Sequence, residues 1–177
     1  MRKMWLLIGF FLVAGMFVVL SPNARAQGAF EQVTGKDFDS AFPKDFYLEG
    51  NAIPTEKRNA ALLKTPAGAR LLVALIDTTG YSSQIKKKYI GMVINEGKVS
   101  VCGIAVGVGS YGFGLDTPAA PSDADAKFSL YNQAGKKVGG CAAKKDTEVK
   151  QPNPLSVVVA KDAPAKLYLG RYVLEIK

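Results

Sequence analysis

From Asp45 to Lys177, apolar residues recur at every second position in short runs, and most runs end in a turn rich in glycine, proline, asparagine or aspartate. A two-residue period sends alternate side chains to opposite faces of an extended chain, so this pattern selects half-buried β-strands over helices. Phe46 and Leu48 alternate with Tyr47 and Glu49 in a strand read as running to Pro54. Residues 55–64 and 69–77 flank Thr65-Pro66-Ala67-Gly68, whose proline and glycine suit a type I turn. That turn favours a strand hairpin there over the competing assignment of a helix at 55–64. Arg70 to Ile76 is apolar on both faces, which puts it in the middle of the protein.

Further strands are expected at 84–95 and 98–108, joined by Asn95-Glu96-Gly97 into the best-defined hairpin. Others follow at 127–131 and 136–143, at 155–161 and, after the turn Asp162-Ala163-Pro164, at 166–177. About eight short strands of this kind predict an all-β fold, a single-domain antiparallel β-sandwich or, alternatively, a small closed β-barrel. The domain spans 46–177, after an N-terminal arm at 27–45 with one helical turn near Lys36 to Ala41. A membrane barrel is a poor fit, because Lys86 to Lys88, Lys136 and Lys137 fall within the expected strands.

The N-terminus sets the compartment. Arg2 and Lys3 precede the uncharged apolar run Met4 to Leu20, Pro22 breaks that run, and Ala24-Arg25-Ala26 is a small-x-small cleavage site. This is the pattern of a cleavable signal peptide at 1–26, with a retained membrane anchor as the alternative. The expected location is periplasmic or secreted, with no membrane span after cleavage. Without Arg2, Lys3 and Arg25, 20 of the 23 basic residues face 15 acidic ones. That modest excess, scattered as lysine doublets, reads as a solvated surface rather than as a nucleic-acid interface. In an exported chain the two cysteines, Cys102 and Cys141, are expected to form a disulfide.

Several motifs resemble chemistry that their surroundings do not support. Gly107, Gly109 and Gly112 spell G-x-G-x-x-G, but Pro118 and Pro121 follow where a phosphate-binding helix would have to start. The glycines are instead expected to mark bulges and close approaches, with Tyr111 packed into a corner and bonded back to the backbone. Ser83-Gln84-Ile85-Lys86 fits S-x-x-K, a nucleophile motif that needs a helix, whereas this segment reads as leading into a strand. The chain contains no histidine, which removes Ser-His-Asp, Cys-His and histidine-ligated metal chemistry. No cofactor is expected, and Asp123-x-Asp125 lacks the rest of a calcium loop, so no metal is assigned.

The stretch from Ser110 to Ala126 is the longest without periodicity, and long loops often carry function. Tyr111, Phe113 and Asp116, with Lys86 and Lys88, are therefore the candidate ligand-binding residues. The expected function is an exported, non-enzymatic binding or assembly module of the cell envelope, contacting an envelope ligand or a protein partner. The alternatives are a small hydrolase using carboxylates such as Asp116 and Asp123 on envelope polymers, and a β-domain binding anionic glycan or lipid.

Overall fold

Strand β4 (Arg70–Ile76) is buried on both faces, and each face belongs to a different core. Leu71 and Val73 point into one cluster with Leu63, Val93, Phe113, Phe128 and Leu130. Leu72, Ala74 and Ile76 point into the other, with Phe46, Leu48, Ile53, Tyr89 and Met92. A strand that reads as apolar on both sides is thus a wall between two hydrophobic layers, each burial adding about 1.5–3 kcal/mol for a large side chain.

The computed structural model describes residues 30–119 and 122–177; the signal peptide expected at 1–26 lies outside them. In chain order come β1 (Glu31–Val33), α1 (Lys36–Ala41), β2 (Asp45–Leu48) and β3 (Asn51–Lys64), followed by β4. Then come α2 (Ser83–Lys88), β5 (Gly91–Asn95), β6 (Val99–Val101), β7 (Ile104–Val106) and β8 (Gly109–Asp116). The chain continues through β9 (Ala126–Asn132), β10 (Lys137–Lys145), β11 (Leu155–Ala160), β12 (Ala163–Leu169) and β13 (Tyr172–Ile176).

The ladder runs β1-β3-β4-β5-β8-β9-β10-β13-β12-β11, antiparallel throughout, and β11 comes back beside β3 without a ladder between them. The all-β expectation therefore holds. The sheet curls into a nearly closed barrel with one seam, and opposing walls face each other across its interior as in a sandwich. The first core fills that interior. The second lies outside the β3-β4-β5-β8 wall, beneath β2, α1 and α2. Among the described residues, no helix is long and apolar enough to cross a membrane.

Several segments depart from the sequence reading. The strand expected from Asp45 to Pro54 is a hairpin folded at Glu49-Gly50, where φ is 48° and 78°. Residues 55–64 are extended as preferred, and Lys57, Arg58 and Asn59 bulge out between Glu56, opposite Leu75, and Ala60, opposite Ala74. The strand expected from Gln84 to Asn95 begins as helix α2. The Ser82 hydroxyl caps it by accepting from the Ile85 N–H at 3.3 Å, and Ile85 and Tyr89, four apart, share its buried face. Lys86 to Lys88 form its last turn, where positive charge suits the helix dipole.

The hairpin expected between residues 84–95 and 98–108 does not form. β5 pairs with β4 and β8, while 98–108 is itself the β6–β7 hairpin, turned at Cys102-Gly103 with φ of 51° and 77°. The last expected strand likewise divides into β12 and β13 at Gly170, whose φ is 62°. Asn95, 1% exposed, fixes the path from β5 to β8. Its amide nitrogen donates to the carbonyls of Gly97, Val106 and Gly107 at 2.7–2.9 Å.

Candidate functional site

Ser110 to Asp116, expected to open a long loop, instead belongs to β8, a central strand paired with β5 and β9. Outside β8 and β9, the described residues of this stretch are 117–119 and 122–125. Phe113 is fully buried inside the barrel as a core residue, its ring 5.6 Å from that of Phe128. Tyr111 fills the corner foreseen for it. Its hydroxyl donates to the Gly107 carbonyl at 3.3 Å, and its ring lies against Gly109. Asp116 is exposed at the far end of β8, opposite Lys127. Five residues of strand put it about 16 Å from Tyr111. Lys86 is exposed on α2, whereas Lys88 is engaged internally. The structure therefore separates Tyr111 from Asp116 along β8, buries Phe113 between them, leaves Lys86 exposed on α2 and pairs Lys88 with Glu49.

The partner of Lys88 is Glu49, at the β2–β3 turn. The Lys88 ammonium pairs with the Glu49 carboxylate, donates to the Gly135 carbonyl at 2.7 Å, and lies over the rings of Tyr89 and Tyr131 at 5.1 and 5.0 Å. The Tyr89 hydroxyl donates to the same carboxylate at 2.6 Å, and the Glu49 N–H donates to the Gln133 carbonyl at 2.8 Å. This half-buried cluster joins three turns. Hydrogen bonds from Lys88 and then Tyr89 hold the Glu49 carboxyl below its ordinary value of 4.5, while burial, followed by the hydrogen bond to Glu49, pushes the Tyr89 phenol up. A depressed carboxylate stabilises the fold above its unfolded-state pKa and loses that contribution as pH falls through the folded one. Glu49→Gln should therefore destabilise the protein at neutral pH, and its difference from the wild type should shrink steadily below about pH 4.5. Thermal melts of both chains across that range check this; a difference that does not change with pH would remove the ion pair from the account.

Of the glycines of G-x-G-x-x-G, Gly112 serves packing. A Cβ on Gly112 would sit 2.8 Å from the Tyr89 ring and 2.9 Å from Leu48, and one on the neighbouring Gly114 would sit 2.2 Å from the Lys88 carbonyl oxygen. Bare backbone on β8 is what lets α2 and Tyr89 lie across it. Gly107 carries no such load, because its nearest neighbour would be the Tyr111 hydroxyl at 3.7 Å. Gly112→Ala should cost about 1–3 kcal/mol by overpacking, and Gly107→Ala less than about 0.5 kcal/mol. Urea denaturation tells them apart, and equal costs would contradict this division of roles. Ser83 and Lys86 do lie on a helix, which corrects the expectation of a strand, but both are exposed on a single short turn and no hydrogen bond links them.

Residues 122 and 123 are tied down by Lys145, whose ammonium lies 2.9 Å from the Asp123 carboxylate and also donates to the Ser122 carbonyl. The Lys145 ammonium holds Asp123 below the ordinary carboxylate range, the opposite of what a general acid needs. Among the described residues, no three Cys, Asp or Glu side chains converge on a point that could hold a metal ion.

A concavity among the described residues lies elsewhere, at the barrel end where β3 turns into β4, β5 leads into β6 and β11 turns into β12. It is a cleft of about 630 Å³, walled chiefly by Phe30, Pro66, Ala67, Ala163, Pro164 and Ile176. Lys98 and Lys177 stand at its rim with Asp162. Sequence reasoning passed over these residues because Pro66-Ala67 and Ala163-Pro164 read as turns in the sequence. The available signal was that Pro66-Ala67 and Ala163-Pro164 place apolar side chains where turns ordinarily carry polar ones. Comparison with protein-family models, with curated proteins and with solved structures found no match to this chain.

Proposed function

We propose that this protein is an exported, non-enzymatic binding module of the cell envelope whose ligand site is the cleft at the barrel end. The cleft itself carries the reading: an open concavity of about 630 Å³ with mostly apolar walls, in the position where β-barrels commonly take ligands. Export is supported by the leader pattern at 1–26 and by the Cys102–Cys141 disulfide, a bond that persists in oxidising compartments. The charges around the cleft are mixed. The lysines at 64, 98, 161 and 177 share that end with Glu31, Asp162 and Glu175, and Lys177 lies 3.0 Å from Glu175. Such a rim suits an uncharged apolar or amphipathic ligand better than a polyanionic glycan.

The test is a fluorescence titration with anilinonaphthalene sulfonate. The processed protein should bind this apolar probe saturably, and Ala163→Phe, which fills the cleft from an exposed wall position, should abolish binding without changing the melting temperature. Probe binding unaffected by Ala163→Phe, or no binding at all, would refute the cleft as the site.

A further inference from the structure

One arc of the cleft differs in chemistry from its apolar walls. Thr65 lines the cleft and is only 8% exposed. Its backbone N–H donates to the Ala69 carbonyl at 2.7 Å, and its hydroxyl oxygen accepts from the Ala69 N–H at 3.1 Å. A hydroxyl also has a proton to donate, and among the described residues no acceptor takes it. The arc runs on through Ala69 to Gly97, where an added Cβ would meet the Ala69 methyl at 2.7 Å, and Lys98 follows next in the chain. Lys98 is exposed and, among the described residues, pairs with no carboxylate. The other lysine that lines the cleft, Lys177, is already paired with Glu175 at 3.0 Å.

We propose that the ligand of this cleft is a single-chain alkyl carboxylate, its head held by the Thr65 hydroxyl and the Lys98 ammonium and its chain laid against Phe30, Pro66, Pro164 and Ile176. The assignment rests on the cleft being the binding site and adds the class of molecule that the site takes. Three arguments choose this ligand. The first is the donor in the wall: a nearly buried hydroxyl proton without an acceptor costs free energy that a ligand oxygen would recover. The second is charge. One unpaired lysine matches one negative charge, and Asp162, which lines the same cleft, opposes a dianion such as a phosphate ester. A carboxylate has two oxygens, so it accepts from a hydroxyl and from an ammonium on a flexible stem at once. The third is the walls. A volume of about 630 Å³ lies in the range of about 300–1,000 Å³ usual for small-molecule sites, and the apolar side chains lining it suit an alkyl chain.

Head and chain contribute separately. Hydrogen bonds to a charged group favour a carboxylate over an alcohol of the same length by about tenfold. Each methylene that the walls cover fully tightens binding by about fourfold, whatever the head. A cationic head on the same chain meets Lys98 as a like charge and binds more weakly than the alcohol.

The experiment displaces an uncharged fluorescent reporter, N-phenyl-1-naphthylamine, with decanoate, decanol and decyltrimethylammonium at neutral pH. Decanoate should displace it at about one-tenth the concentration of decanol, and decyltrimethylammonium should be the weakest. Lys98→Gln, a change at an exposed position, should bring decanoate close to decanol and leave decanol unaltered. Thr65→Val should weaken decanoate, whereas Thr65→Ser, which keeps the hydroxyl, should not; Lys98→Gln decides alone if Thr65→Val does not fold. Equal displacement by decanoate and decanol, or a preference for decanoate that survives Lys98→Gln, would overturn the carboxylate assignment. The cleft reading would stand in that case, provided that Ala163→Phe still abolishes reporter binding. A wild-type chain that binds no reporter would overturn the cleft reading and this assignment with it.

Discussion

Replacing Cys102 and Cys141 together by serine should lower the stability of the protein by about 4 kcal/mol, and reduction of the wild-type disulfide should do the same. The bond joins residues 39 apart, and closing a loop of that length removes entropy from the unfolded chain on about this scale. Its position makes the loss local as well as global. β10 meets β13 only at Lys144 and Lys145, so the β6–β7 hairpin occupies the wall between them. Among the described residues β7 has β6 as its only ladder partner, and its approach to β10 is made by Ile104 against the bare backbone of Gly139. The Cys102 N–H still donates to the Glu175 carbonyl at 2.7 Å, which holds the hairpin to β13 but not to β10. Guanidinium titrations with and without reductant give the global loss. Hydrogen exchange should show faster opening at Ile104 to Val106 than in the rest of the barrel. An unchanged unfolding midpoint under reducing conditions would sink the claim.

The fold class was legible because strand periodicity survives errors in strand ends. The topology was less so, and three misread segments share one cause. Glu49-Gly50, Cys102-Gly103 and Gly170-Arg171 are tight turns inside runs that read as single strands. Two-residue hairpin turns need positive φ, for which Asn-Gly and Asp-Gly are the usual signals. Here Glu49 and Cys102 take that conformation without being residues that advertise it, each held by a tertiary partner: Glu49 by Lys88 and Tyr89, Cys102 by its disulfide. Helix α2 was missed for a related reason. Ile85 and Tyr89, four apart, fit a strand or a helix over so short a span, and only the Ser82 cap and the tertiary partners of Tyr89 decide between them. The candidate site was displaced because β8 is rich in glycine, which resembles a loop in sequence. Gly112 and Gly114 are bare because other elements lie on them, information that resides in Tyr89 and Lys88 and not in the run itself.

Phe113→Ala should cost about 3–5 kcal/mol, the range for emptying a large buried aromatic site, and its size should depend on Gly91. These two residues face each other across the β5–β8 ladder. A Cβ on Gly91 would fall 2.1 Å from the tip of the Phe113 ring and 2.6 Å from the Ala74 carbonyl oxygen. The ring is backed by Phe128 and has no room to retreat. Gly91→Ala should therefore be severely destabilising on its own. In the double variant the new methyl enters space the ring has left, so the combined cost should fall short of the sum by about 0.5–3 kcal/mol. The compensation stays partial because the Ala74 carbonyl remains in place. A strictly additive pair would mean that the ring and the glycine do not depend on each other. The same variant separates architecture from function. Phe113 lies inside the barrel and does not line the cleft, so a Phe113→Ala chain, studied where it is still folded, should bind anilinonaphthalene sulfonate with unaltered affinity. Weakened binding by a folded variant would return β8 to the ligand site, and with it the aromatic stretch that the sequence had put forward.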